Sequence, residues 1–127
     1  MAAAEAQERD VPVGRLAPAE IQRLFDAYAL VQAQDALQLG ETQYGQFVAR
    51  MKALQDARHR NHQARLKLLR ELGQAAGAGV GDSVLRERLR ALREHDEKNA
   101  ADLRRAYSAL DEVLDLRQQA RFRLFEE

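Results

Sequence analysis

Apolar residues recur along this chain with the period of a helix, and no stretch shows the alternation of a strand. Ile21, Leu24, Phe25, Tyr28 and Val31 follow at helical spacing after Leu16-Ala17-Pro18-Ala19-Glu20. Proline suits a first helical position, where its missing N–H costs nothing. A helix is predicted over about 18–38, broken by Gly40. Tyr44, Phe47, Met51 and Leu54 form a second stripe, continued by Leu68, Leu69 and Leu72, which predicts a helix over about 41–73, roughly 50 Å long. The segment Gly73 to Asp82 carries Gly77, Gly79 and Gly81 and reads as a flexible turn. It is no phosphate cradle, because it lacks the Gly-Lys-Ser/Thr ending and follows no strand. Asp82 or Ser83 can cap a third helix over about 83–113, with the stripe Leu85, Leu89, Leu92, Leu103, Tyr107 and Leu110. Asp115 and Gln118 have the spacing of a capping box and open a fourth helix over about 115–127, which carries Phe122 and Phe125. Residues 1–15 read as a disordered lead-in to a single helical domain over 16–127.

A short glycine-rich loop between the two long helices makes them antiparallel neighbours. The predicted fold is therefore all-α: four helices with a long antiparallel helical hairpin at the centre. Folding the chain about the loop sets Leu69 near Leu89, Leu54 near Leu103 and Phe47 near Leu110. Midway, both stripes turn polar at the same height. The second helix offers Arg58, Asn61 or His62, and Arg65; the third offers Asp96 and Asn99.

Three readings of this polar waist stand side by side. A polar layer can fix register, with Arg58 or Arg65 paired to Asp96. Alternatively, His59 and His62, three apart on one helix face, lie level with His95 and Asp96, and imidazole with carboxylate suits zinc, nickel or copper. Thirdly, the helices splay there and present a mixed apolar and basic face to a client.

Composition narrows the function classes. The 127 residues fit one domain with a modest core. Twenty acidic and twenty basic residues cancel, which gives no global electrostatic case for nucleic acid. The chain has no cysteine, so disulfides, thiolate metal sites and cysteine nucleophiles are excluded. No apolar run is long enough to cross a membrane, and no signal peptide is visible. Ala2-Ala3-Ala4-Glu5-Ala6 suits the start of a mature exported protein, and Arg121 to Glu127 has no helix-stop signal. Both ends therefore read as trimmed, of a leader and of a tail. No nucleophile–base arrangement is present, and Glu94, Asp96 and Glu97 lie in a charged helical run of the kind that faces solvent, so no enzyme is expected.

Leu39-Gly40-Glu41-Thr42-Gln43 and Leu114-Asp115-Leu116-Arg117-Gln118 resemble the Leu-Thr-x-x-Gln motif of the Spy/CpxP family of periplasmic chaperones and related heavy-metal-sensor proteins. As in that family, the two copies flank the long helical hairpin, and the resemblance spans residues 16–127. Gly40 and Asp115 replace the threonine, and both can sit at an N-cap. The ending Gln118 to Glu127 is also similar to the closing segment of bacterial periplasmic metal sensors. The resemblance implies a periplasmic, cradle-shaped four-helix protein, often an antiparallel homodimer. It implies ATP-independent holding of unfolded clients, or metal-responsive sensing with an envelope stress-signalling partner. The residues expected to meet a client are Phe47, Met51, Arg58, Arg65 and Tyr107; those expected to meet a metal are His59, His62, His95 and Asp96. A purely structural helical adaptor is the third alternative.

Overall fold

Each helix among the described residues begins on an extended residue, and most of the helix limits have a local cause. The computed structural model describes residues 17–127; the expected lead-in lies outside the described residues. Among the described residues there are four helices, α1 (Pro18–Leu37), α2 (Glu41–Gly77), α3 (Asp82–Asp111) and α4 (Leu116–Glu126), and no strand. Ala17, extended at φ −62° and ψ 147°, precedes Pro18, and its carbonyl accepts from the N–H groups of Glu20 and Ile21. Helix α1 ends at Leu37, close to the expected limit, but the residue that breaks it differs. Gln38, not Gly40, reverses the chain, in the left-handed region at φ 55° and ψ 56°, and the Gln38 and Leu39 N–H groups both turn back to the Gln34 carbonyl. Glycine takes that conformation without the steric cost that a Cβ incurs. Gln38→Gly is therefore expected to raise the unfolding free energy by about 0.5–1 kcal/mol, read as a higher urea midpoint. An unchanged or lower midpoint would count against a strained turn.

Helix α2 also runs on past its expected end at Gly73. A helical glycine costs only about 1 kcal/mol relative to alanine, and Ala75 beyond it is buried. The true stop is Gly79, at φ 68°, after the Ala78 N–H has closed on the Gln74 carbonyl. A Cβ there would be strained whatever the space around it. Helix α3 opens on Gly81 as N-cap with no side-chain cap, which corrects the expectation for Asp82 or Ser83; Asp82 instead supplies the acidic residue of the first turn. Its end, before Leu114, closes in overlapping turns from Ser108, Leu110 and Asp111.

Helices α2 and α3, 37 and 30 residues long, pack side by side as an antiparallel hairpin. Their register shows in the Arg50–Ala109, Asn61–Asn99 and Glu71–Arg88 pairings. The two short helices cover only one end of it. Helix α1 lies antiparallel to α2, with Asp26 beside Gln55 and His59. Helix α4 starts beside Gln43 and finishes beside Arg58, so it runs parallel to α2. The core sits in this four-helix base: Leu30, Ala33 and Leu37 from α1; Phe47, Met51 and Leu54 from α2; Leu110 from α3; and Leu114 and Phe122. Beyond the base, α2 and α3 project as a two-helix arm whose leucines stay half-buried or exposed.

The apolar stripe that marks α1 in the sequence is turned largely outward. Leu24, Phe25, Tyr28 and Val31 are 56%, 64%, 62% and 57% exposed. Two apolar stripes coexist on this helix, and the one with Leu30, Ala33 and Leu37 faces the core, where the small Ala33 lets the backbone approach closely.

Candidate functional site

The two Leu-x-x-x-Gln segments meet face to face at the base. Gln43 Oε1 accepts the Gly40 N–H at 3.2 Å, and Gln118 Oε1 accepts the Asp115 N–H at 3.0 Å. Each amide nitrogen donates to the other glutamine's oxygen, at 2.5 and 3.0 Å. Each also reaches a carbonyl just before the opposite helix: Gln43 to Val113 at 2.8 Å, and Gln118 to Leu37 at 3.4 Å. The Asp115 carboxylate completes its capping box by accepting the Gln118 N–H at 2.8 Å. Gly40 has no side chain, so the first copy is only half a box. Leu114 is buried and Leu39 packs against the core. Phe47 and Phe122, each four residues after its glutamine, are fully buried and meet edge to face, with centroids 6.0 Å apart at 85°. The repeat therefore extends to Leu-x-x-x-Gln-x-x-x-Phe. This longer spacing was the available sequence signal that these segments are joints of one core.

The polar waist is a ladder of paired groups. Arg65 meets Asp96 at 2.9 Å, Asn61 donates to Asn99 at 2.6 Å, and the His95 ring lies 3.0 Å from the Asn61 carbonyl. The Arg65 hydrogen bond, with its positive charge, holds the Asp96 carboxyl below its ordinary value despite some desolvation. Arg58 takes a different route: its guanidinium reaches both Glu126 oxygens at 2.9 Å and the Tyr107 hydroxyl, and Tyr107 donates to Glu126 at 2.5 Å. Burial lowers the Arg58 value, but Glu126 and Tyr107 together outweigh it and the net shift is upward. Burial, aided by the Glu126 hydrogen bond, raises the Tyr107 phenol. This triad clamps the end of α4 to the hairpin. Glu126 was missed by sequence reasoning, because α4's direction depends on how its phenylalanines dock.

The expected metal ligands go separate ways. His59 binds the Asp26 carboxylate on α1 at 2.7 Å, His95 faces a backbone carbonyl, Asp96 pairs with Arg65, and His62 is exposed. Among the described residues, no group of three or more His, Asp or Glu side chains is placed to hold a metal ion.

Of the expected client-binding residues, Phe47 and Met51 are 0% and 2% exposed, so both belong to the core and neither is available to a client. Arg58, Arg65 and Tyr107 are partly exposed but engaged in the waist. Accessible apolar side chains lie instead on α1, where Leu24, Tyr28 and Val31 form a stripe with Phe25 at its edge, and on α4, where Leu116 and Leu124 are exposed. Glu20 and Asp35 stand at the two ends of that stripe. Leu66 and Leu89 add exposed apolar area on the arm. No helix among the described residues is long and apolar enough to cross a membrane. Comparison with known proteins adds no relative: no family model matches the sequence, and no curated protein and no solved structure matches it significantly.

Proposed function

We propose that the chain is a non-catalytic, ATP-independent chaperone-like binding module of the bacterial envelope, which shields apolar segments of unfolded clients. The observation that carries this reading is the outer face of α1. Four large apolar side chains, each more than half exposed, lie on one short helix, while Leu30, Ala33 and Leu37 of the same helix face the core. Contiguous exposed apolar surface on a soluble fold marks an interaction site. The Leu-x-x-x-Gln segments support the link to Spy/CpxP-like proteins, and with it periplasmic placement and a homodimer, both part of this proposal. The metal-responsive alternative would require His59 to leave Asp26 and Asp96 to leave Arg65, and no observation favours it.

The test is light scattering from a chemically denatured client diluted into ATP-free buffer. The wild-type chain is expected to suppress aggregation at a near-stoichiometric ratio. Phe25→Glu combined with Tyr28→Glu should weaken suppression about tenfold or more, since burying two charges against an apolar client is strongly unfavourable. Circular dichroism should show unchanged helicity, because neither side chain is in the core. A wild-type chain that leaves aggregation untouched, or a double variant as active as the parent, would sink the proposal.

A further inference from the structure

We propose that the tip of the α2–α3 arm docks on an anionic phospholipid surface, its uncharged end entering the headgroup layer and a collar of arginines meeting the phosphates. This goes beyond the chaperone reading and does not depend on it.

The zero net charge conceals a partition along the molecule. Between Arg58 and Arg93 there are nine basic and three acidic residues, a net charge of +6, so the rest of the chain carries the opposite excess. Two of those three acids are already engaged, Glu71 with Arg88 and Glu87 with Arg90. Arg60, Lys67, Arg70, Arg86 and Arg93 have no ion-pair partner among the described residues. The charge is therefore available at the surface. Its field turns the arm, rather than the acidic base, toward a negative surface.

The tip itself has the opposite character. Residues 72–81 hold no charge and one polar side chain, Gln74. They form the last turns of α2 and the four-residue loop to α3, with Val84 40% exposed just behind. Arg70 and Arg86 stand nine and seven residues from Gly79, so at the helical rise of ~1.5 Å they lie roughly 10 Å behind the tip. That spacing matches the about 5–10 Å to which interfacial helices sink at the headgroup boundary. On α3, Arg86, Arg90 and Arg93 surround the exposed Leu89, an apolar and cationic combination suited to the same boundary. No Phe, Tyr or Trp lies between Arg58 and Arg93, so the arm lacks the large aromatic platforms on which unpaired bases stack. Charge complementarity with apolar contact thus favours a lipid surface over a nucleic acid.

Vesicle flotation of the whole chain tests this. The chain is expected to float with phosphatidylcholine vesicles containing about a third phosphatidylglycerol, but not with phosphatidylcholine alone, and to be released by high salt. Arg70→Glu with Arg86→Glu should weaken binding at least about tenfold, since each basic group near an anionic surface contributes about fivefold. Val80→Asp with Val84→Asp, which leaves every arginine in place, should also weaken it. All of these residues lie outside the buried core, and far-UV dichroism checks that the helices persist. Binding of a DNA duplex without vesicle binding, equal flotation with neutral vesicles, or full retention by the Arg70/Arg86 variant would each overturn the proposal. Loss in the arm variants with intact client holding separates this site from the face of α1.

Discussion

Phe122→Ala should lower the unfolding free energy by about 3–5 kcal/mol, among the largest losses expected of any single substitution in this chain. Phe122 is fully buried. It meets Phe47 edge to face and lies tilted against Tyr107, 6.1 Å between centroids. Truncation removes the aromatic contacts, leaves a cavity in the base, and loosens the one fully buried apolar anchor on α4, leaving only the partly buried Phe125 against the core. Domains of this size typically have only about 5–15 kcal/mol in total, and here a nine-residue cluster carries nearly all the tightly buried area. The variant is thus expected to be barely folded, or to lose α4 while the hairpin persists. Urea titration followed by circular dichroism distinguishes these outcomes, because loss of α4 alone removes only an 11-residue helix. Phe25→Ala is the control. Phe25 is 64% exposed, so its truncation should stay within about 0.5 kcal/mol of wild type. Equal costs at the two positions would mean that the core has been assigned to the wrong face.

That pair of phenylalanines also marks where sequence legibility ended. The stripes were enough to show four helices, and the glycine-rich turn was enough to fold α2 against α3. The polar waist was legible because two stripes lost their apolar character at heights that the turn brings together, and Arg65–Asp96 lies where that alignment set it. The facing of α1 was not legible. Apolar periodicity identifies a stripe, but Leu24, Tyr28 and Val31 have a stronger one than Leu30, Ala33 and Leu37. Alanine gives little hydrophobic signal, yet it is the residue that permits close approach. Phe47 and Met51 failed as client contacts for the same reason: an apolar stripe does not say which side will be covered by a distant helix.

The electrostatics divide similarly. Arg58 had a plausible partner in Asp96 by register alone, but α4 brings Glu126 within 2.9 Å from 68 positions away. Net charge was a poor guide as well, because it averages a basic arm with an acidic remainder. Local charge along a folded rod, rather than the chain total, sets what each end attracts.

Gln118→Leu is expected to cost about 2–4 kcal/mol, the sum of a lost N-terminal cap and buried groups left without partners. The side chain is only 7% exposed. Its oxygen serves the Asp115 N–H and the Gln43 amide, and its nitrogen serves the Gln43 oxygen and the last carbonyls of the α1 turn. Leucine fills similar volume and supplies none of these, so the penalty measures polar satisfaction rather than packing. Gln43→Leu should cost less, because Gly40 leaves that capping box half-formed and the Gln43 side chain is less buried. The decisive measurement is the double-mutant cycle. Two amides that donate to each other should show a coupling of about 1 kcal/mol or more, with the double variant less damaged than the sum of the singles. Gln118→Glu sharpens the result, since a carboxylate keeps the acceptor for Asp115 but brings its second oxygen against Gln43 Oε1 and the Leu37 carbonyl. It should therefore destabilise at neutral pH and recover part of the loss in acid, where a protonated carboxyl can again donate. Additive single-site costs would show that the two glutamines cap their own helices independently, and that the symmetrical joint contributes nothing of its own.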